Sequence, residues 1–195
     1  VKLIGPNEGE MACGEYGLGR MAEASEIVSS VEQFFQSGSL VGKHLLVTSG
    51  ATREPIDPIR YITNRSSGTQ GSAIATALRS LGAQVSFVTG PTYVPVPSGV
   101  TAYHVETAQE MLDAVLELLP VDGAVFAAAV ADWRVDGIQD KKIKKSTKGD
   151  MPELNFLENP DILAIVSQHA KRPKLVVGFA AETDNVIKNA SFETR

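Results

Sequence analysis

Short apolar runs alternate with helix-like segments along most of this chain. The apolar runs, which we predict to be strands, are residues 45–50, 84–90, 101–106, 123–132 and 175–182. Apolar residues recur at helical spacing between them and predict helices that begin near Ser67, Thr107 and Asn159. This alternation predicts an α/β fold with a Rossmann-like, doubly wound and mainly parallel sheet.

Residue types at the segment ends sharpen these predictions. Ser67–Gln70 and Thr107–Glu110 match capping boxes, and Asn159-Pro160 fits the N-cap and first position of a helix. The alternating segments 141–145 and 153–157 flank a Gly-Asp turn region and predict a small hairpin insertion.

The N-terminal part has a different pattern. Residues 1–24 are rich in glycine and glutamate without periodicity, so we predict a loop there. A short amphipathic helix is expected after Ser25, and residues 37–43 are typical of a linker. Because residue 1 is Val rather than Met, we expect the chain to begin inside a longer polypeptide.

Composition limits the function classes. The 195 residues are 43% hydrophobic, enough for one packed domain with an appendage. A net charge of −5 disfavours nonspecific nucleic-acid binding. The single cysteine cannot form an internal disulfide, and no run of about 18 apolar residues predicts a membrane span. We therefore expect a cytoplasmic protein with neither a nucleic-acid nor a membrane partner.

The predicted strands end in unusual residues at the edge where parallel sheets bind ligands. These ends are Ser49-Gly50, Thr89-Gly90, residues 129–132 and residues 179–182. The helix start at Ser66, Ser67, Gly68 and Gly71 offers free amides and a positive dipole end, which would suit phosphate. An ordinary helix cap is the competing interpretation. A second loop, 50–52, favours phosphate, although the spacing GxGxxG of dinucleotide sites is absent from residues 49–71.

Four further residues are ambiguous on chemistry alone. Lys142 lies in KKIKK, which is either a solvated edge or a group that stabilises phosphoryl charge. Asp132 would bind a ribose hydroxyl or a metal, or cap a turn. Asn64 would orient a polar substrate or serve a turn, and Phe179 would stack on a base or belong to the core. The three histidines show no metal-ligand spacing.

Five motifs in this order resemble one known family: TSGATREPIDPIRYITNRSSG, AAAVADWR, KKIKK, ENPDIL and VVGFAAET. They are similar to the phosphopantothenate–cysteine ligase (phosphopantothenoylcysteine synthetase) domain of bacterial bifunctional proteins of coenzyme A biosynthesis, over residues 43–187. Residues 1–24 resemble the substrate flap of the preceding flavin-dependent decarboxylase domain, in which Cys13 would be the proton donor. The resemblance implies a decarboxylase remnant at 1–36, a linker at 37–43 and a C-terminally incomplete ligase domain at 44–195.

The resemblance implies a ligation in two steps. The carboxylate of 4′-phosphopantothenate attacks the α-phosphorus of CTP and gives an acyl-cytidylate and pyrophosphate. The amine of L-cysteine then displaces CMP. Mg²⁺ would accompany the triphosphate, the ligase domain would form a homodimer inside a larger full-length oligomer, and FMN would serve only the decarboxylase domain, which this chain lacks.

The resemblance also assigns roles to residues. Lys142 would stabilise charge at the α-phosphate, Asn64 would bind the acyl-phosphate, and Arg60 would face the substrate. Contacts to the nucleotide are implied for Gly50, Ser66, Gly68, Gly71, Ala127, Ala128, Ala129, Asp132, Leu157, Glu158, Asn159, Pro160 and Phe179.

The chain departs from the family pattern at two places. Thr69-Gln70 stand where Lys or Arg often follows Ser-Ser-Gly, which removes a positive charge. After Asn185, VIKNASFETR replaces a helix that carries further lysines. The choice of CTP over ATP rests on the resemblance alone.

Two alternatives stay open. An NAD(P)-dependent oxidoreductase fits the fold, but KKIKK has no place in it and the second strand ends in Thr89-Gly90 without an acidic residue for the ribose. A nucleotide-binding module without turnover is the other alternative.

Overall fold

Five parallel strands form the central sheet of the computed structural model, which describes residues 3–10, 14–35, 38–144 and 153–181. The helices are α1 (Ala24–Phe35), α2 (Thr69–Ser80), α3 (Ala108–Leu118) and α4 (Ile162–Gln168). The strands are β1 (Asn7–Glu10), β2 (Tyr16–Arg20), β3 (His44–Ser49), β4 (Arg53–Pro55), β5 (Tyr61–Thr63), β6 (Gln84–Thr89), β7 (Thr101–His104), β8 (Gly123–Phe126), β9 (Trp133–Val135), β10 (Phe156–Glu158) and β11 (Leu175–Gly178).

The central sheet has the order β11-β8-β3-β6-β7, and all four pairings are parallel. Within this sheet, β3 is the first strand in chain order. Strands β6 and β7 follow on one side of it, and β8 and β11 then follow on the other side. The order reverses between β3 and β8, where doubly wound sheets open a crevice for ligands. The predicted α/β, Rossmann-like fold is confirmed.

Helices cover both faces of this sheet because neighbouring strand residues point to opposite sides. Leu46 packs in a core with Met111 and Val115 of α3 and Val166 of α4. Val47, the next residue, packs in a second core that contains Ala75 of α2. Full burial of such apolar side chains contributes about 1.5–3 kcal/mol each. The strand β3 is therefore fixed from both faces, and its carboxyl end is a rigid platform.

The small antiparallel insertion is present, but one of its two predicted strands was wrong. Strand β10 pairs with β9, with Leu157 opposite Arg134, instead of with residues 141–145. Residues 141–144 are not in a strand, and 145–152 lie outside the described residues. All three residues of β9 follow the predicted strand 123–132, in a segment that was predicted to be a polar loop. The fourth sheet strand ends at Phe126 instead.

Two predicted helix starts were also wrong. The N-cap of α2 is Gly68, and no side chain caps it, so Ser67 and Gln70 form no capping box. The N-cap of α4 is Asp161, whose carboxylate accepts from the Ala164 amide at 2.9 Å, instead of Asn159. The side chain of Asn159 instead donates to the Ala131 carbonyl.

Other local predictions had mixed outcomes. Thr107 is the N-cap of α3 as predicted, and its hydroxyl accepts from the Glu110 amide at 3.2 Å. Residues 1–24 are not all loop, because β1 and β2 pair as an antiparallel hairpin. Neither strand alternates apolar and polar residues, so no period-two pattern predicted them. No helix within the described ranges is both long and apolar enough to cross a membrane.

Candidate functional site

The parallel pairing of β3 with β8 continues past the ends of both strands. The Ala127 amide donates to the Thr48 carbonyl at 3.2 Å, and the Ala129 amide donates to the Gly50 carbonyl at 2.8 Å. Ala51 and Ala129 then form an isolated parallel bridge. Two of the loops predicted to bind nucleotide, at Gly50 and at 127–129, are therefore bonded side by side.

Two buried threonines hold the second of these loops. Thr48 accepts from the Ala128 amide at 3.3 Å, and Thr52 accepts from the Ala131 amide at 2.9 Å. Both residues are almost wholly inaccessible, at 1% and 0% exposure. Sequence reasoning missed this function. The sequence signal was the position of two threonines, Thr48 within an apolar strand and Thr52 just after it. An apolar side chain at either position could not accept a hydrogen bond from a loop amide.

The start of α2 lies directly against the end of β3. Gly50 and Gly68 both have positive φ, at 75° and 74°. A Cβ on Gly68 would lie 3.4 Å from the Gly50 Cα, and a Cβ on Gly71 would lie 2.4 Å from the Ser49 Oγ. The predicted phosphate-binding glycines are thus close together, at positions that exclude larger side chains.

Backbone and hydroxyl groups give this helix start its chemistry. The first amides of a helix have no intrahelical acceptor, and they carry the positive end of the helix dipole. The Ser66 hydroxyl accepts from the Gly68 amide at 3.3 Å, and the Ser49 hydroxyl donates to the Gly68 carbonyl at 3.0 Å. The arrangement suits an anion held by α2 above the β3 end.

Asn64 reaches the crevice from a separate hairpin. Strands β4 and β5 pair antiparallel just after β3, and Asn64 follows the second of them. Its Nδ2 donates to the Val130 carbonyl at 2.8 Å. The preceding Thr63 hydroxyl donates to the Thr52 carbonyl at 2.6 Å, so the exit of the hairpin is fixed at two adjacent places.

Residues 157–160, at the end of β10 and just after it, lie beside Asp132. The Asn159 amide donates to the Asp132 carbonyl at 2.8 Å, and its Nδ2 donates to the Ala131 carbonyl at 2.7 Å. Arg134 donates to the Asn159 Oδ1 at 3.2 Å and also to the Glu158 carbonyl. Asp132 itself is exposed. Sequence reasoning did not predict a function for Arg134, because it was one charged residue in a predicted polar loop.

The backbone next to Lys142 is held by an ion pair between the buried Asp57 and the half-exposed Arg60. The Ile143 amide donates to the Asp57 Oδ2 at 3.1 Å, and the Ile143 carbonyl accepts from the Arg60 Nη2 at 2.7 Å. The same Nη2 lies 2.6 Å from the Asp57 Oδ2. Arg60, which was predicted to face the substrate, therefore bonds to Asp57 and to the Ile143 carbonyl. The Lys142 side chain is exposed.

The Asp57 carboxylate is strongly stabilised in its charged form. Burial raises its pKa, but hydrogen bonds from the Ile59 and Ile143 amides and from Arg60 together outweigh burial and hold the pKa well below its ordinary value. Its side chain is wholly inaccessible, in contrast to the half-exposed Arg60. The ion pair therefore connects the tip of the hairpin β4–β5 to residues 139–143, which we call the lysine segment.

Phe179 and Cys13 are two further predicted site residues. Phe179 follows β11 at the same edge of the sheet and is 51% exposed, but none of the described hydrogen bonds connects its segment with residues 157–160. Cys13, the predicted proton donor, lies outside the described residues. Within the described ranges, no three side chains of His, Cys, Asp or Glu are grouped so that they would hold a metal ion.

Comparisons with known proteins agree on one family. Residues 40–194 match the family described as DNA/pantothenate metabolism flavoprotein C-terminal domain. The "Coenzyme A biosynthesis bifunctional protein CoaBC" of Vibrio parahaemolyticus is 46% identical over 187 residues, which cover 95% of this chain and 47% of that protein. The chain thus spans about half the length of this curated relative.

Solved structures agree with the sequence match. The C-terminal domain of a coenzyme A biosynthesis bifunctional protein CoaBC superposes with a TM-score of 0.69 at 40% identity, covering 80% of this chain and 74% of that one. A Cab2 variant solved in complex with phosphopantothenate–cysteine has a TM-score of 0.57 at 18% identity, covering 86% of this chain and 73% of that one, which shows a shared fold. This chain belongs to the DNA/pantothenate metabolism flavoprotein C-terminal domain family.

Proposed function

We propose that this chain is a phosphopantothenate–cysteine ligase that uses CTP, in coenzyme A biosynthesis. One observation supports this most strongly: the loop at Gly50, which we predict binds phosphate, and the side chain of Asn64 are bonded to neighbouring residues of a single segment, Ala129 and Val130. A ligase that works through an acyl-nucleotide needs such proximity, because the activated acyl group stays at the α-phosphate until the amine arrives.

In the first step, a carboxylate oxygen of 4′-phosphopantothenate forms a bond to the α-phosphorus of CTP. The bond from that phosphorus to the bridging oxygen breaks, and pyrophosphate leaves with the electron pair. Both reactants are anionic, so the reaction needs fixed positive charge. The amides at the start of α2 and the Lys142 ammonium group would supply it.

In the second step, the cysteine amine attacks the acyl carbon, CMP leaves, and the nitrogen loses a proton to give the amide. The Asn64 side chain would hold the acyl-phosphate for this attack. One N–H of the side-chain amide already donates to the Val130 carbonyl, so the plane of the side chain is fixed before substrate binds. A fixed dipole needs no reorganisation during the reaction.

The nucleotide would lie along the exposed edge next to the crevice. Asp132 would accept from the ribose, and residues 157–160 would contact the base through backbone groups, with Phe179 as a stacking surface. The hydrogen bonds from Asn159 to Ala131 and Asp132 support a preformed surface for this purpose. Selection of cytosine follows from the family resemblance.

Mg²⁺ would be held chiefly by the triphosphate, since the described residues offer no group of three ligand side chains. It would neutralise charge on the phosphate oxygens. We also propose a homodimeric ligase in the cytoplasm, as the family resemblance implies, with FMN and Cys13 belonging to the decarboxylase reaction.

Pyrophosphate release is the direct test. CTP and 4′-phosphopantothenate without cysteine should yield pyrophosphate, and added cysteine should yield CMP and the amide. Omission of 4′-phosphopantothenate is the control. The absence of pyrophosphate from folded protein would reject the ligase, and CTP binding without turnover would indicate a nucleotide-binding module.

A melting experiment separates the oxidoreductase alternative. Ligand at about 100 times its Kd stabilises a folded protein by about 2.7 kcal/mol, which raises Tm measurably. CTP should raise Tm and NADH or NADPH should not. The opposite result would favour the oxidoreductase.

A further inference from the structure

The buried carboxylate of Asp57 lies at the tip of the hairpin β4–β5 and has more hydrogen bonds than a turn requires. Oδ1 accepts from the Ile59 and Arg60 amides at 2.8 and 2.9 Å, which is turn chemistry. Oδ2 accepts from Arg60 Nε and Nη2 and from the Ile143 amide. The last of these residues is 86 positions away in sequence, so Oδ2 has a long-range function.

Both backbone groups of Ile143 are bonded to this ion pair, its amide to Asp57 and its carbonyl to Arg60. A second bond, from the Gln139 amide to the Ile56 carbonyl at 3.0 Å, fixes the same segment to the same hairpin tip. Lys142 lies between these two attachments. Its backbone position is therefore determined by the hairpin, although its side chain is exposed.

The other end of the hairpin carries Asn64, whose amide is bonded to Val130. The short hairpin β4–β5 therefore connects Ile143, next to Lys142, to Val130 in the loop after β8. We propose that Asp57 is a positioning residue, which holds the backbone beside Lys142 so that Lys142 and Asn64 keep a fixed relation. This inference rests on the proposed function, and it adds a residue that touches neither nucleotide nor substrate.

The test is Asp57→Asn in the 195-residue chain. Asparagine keeps the size and one oxygen, but its NH₂ group would face the N–H donors of Arg60 and Ile143, and the hydrogen bonds to that side would be lost. Asp122→Asn is the matched control. Asp122 also accepts from a backbone amide, that of His44, and from a cation, Lys43, but it lies at the opposite edge of the sheet.

Two readouts are needed. Amide hydrogen exchange at Ile143 should accelerate about tenfold or more in Asp57→Asn and stay unchanged in Asp122→Asn, because only the first variant removes its acceptor. The kcat for pyrophosphate release should fall about tenfold to 100-fold, with the KM for CTP within about threefold, since small misplacement costs rate more than binding. Unchanged Ile143 exchange, or an equal loss of kcat in both variants, would overturn the proposal.

Gln139→Pro gives an independent route if Asp57→Asn does not fold. Proline removes the amide that donates to the Ile56 carbonyl, and the residue is exposed, so the core is untouched. Faster Ile143 exchange with a lower kcat would support the proposal, and wild-type behaviour would count against it. If wild-type protein releases no pyrophosphate, the ligase function fails, while Ile143 exchange still decides whether Asp57 holds the segment.

Discussion

Asn64 and Val130 are joined by one hydrogen bond, from the side-chain amide to the backbone carbonyl, at 2.8 Å. The bond spans 66 residues of sequence and ties the exit of β5 to the loop after β8. Asparagine side chains in turns commonly bond to their own backbone, whereas this exposed amide donates to a distant carbonyl. This relationship makes Asn64 a residue with a defined direction.

We predict that Asn64→Ala impairs amide formation more than activation. The loss should be roughly 10-fold to 100-fold in the second step, because the acyl-phosphate loses its positioning group. Asn64→Asp should behave similarly, since a carboxylate cannot donate to the Val130 carbonyl. Single-turnover measurement of pyrophosphate and amide separates the steps. Gln109→Ala, which removes an exposed amide on α3, is the control, and equal loss in both steps would contradict the assignment.

Lys142→Ala should abolish pyrophosphate release while the protein stays folded. The side chain is exposed, so its removal costs little stability, but developing charge at the α-phosphate loses its cation. Lys171→Ala is a matched control, because it removes the same exposed charge in the segment before β11, away from the crevice. Retention of near wild-type release by Lys142→Ala would remove this lysine from the mechanism.

Gly71→Ala should separate α2 from the end of β3. The added methyl would lie 2.4 Å from the Ser49 Oγ and 2.5 Å from its Cβ, so the helix must shift. Such overpacking costs about 1–3 kcal/mol, partly offset by the better helix propensity of alanine. The urea concentration at the midpoint of unfolding should decrease, and so should the rise in Tm that CTP causes. Gly17→Ala, whose Cβ meets no atom within 4 Å, should change neither.

The contribution of Asp57 to stability should depend on pH. The folded-state pKa is lowered, so the stabilisation is fully present above the unfolded pKa of about 3.9 and is lost as pH falls through the folded pKa. The difference in urea midpoint between wild type and Asp57→Asn should be constant from neutral pH to about 5 and shrink below about 4. A difference that grows in acid would mean that the carboxylate is not stabilised as described.

The sheet was predictable because its signal is local. Strands β3, β6 and β8 of the central sheet are short, largely apolar runs, because burial on both faces favours that composition. The carboxyl-end residues followed from the same logic, since a parallel sheet gathers these ends at one edge. The grouping of Gly50, Gly68 and Gly71 was predictable on this basis.

The errors arose where two structures satisfy one local pattern. Asn159 fits an N-cap as well as Asp161 does, and only the nearby Ala131 carbonyl decides which is used. The segment 141–145 alternates like a strand, but the partner of β10 is Trp133–Val135. Such choices depend on which backbone groups are within reach in three dimensions, and periodicity carries no information about that.

The sequence by itself determined the α/β class, the sheet edge at which we expect ligands and, through five ordered motifs, the family. Local composition and residue spacing are sufficient for those conclusions. Only the tertiary structure decided that Asp57 and Arg60 hold the backbone beside Lys142, and that Asn64 is bonded to Val130. These contacts join residues 66 to 86 positions apart, and they form because the packed sheet brings separate loops to one edge.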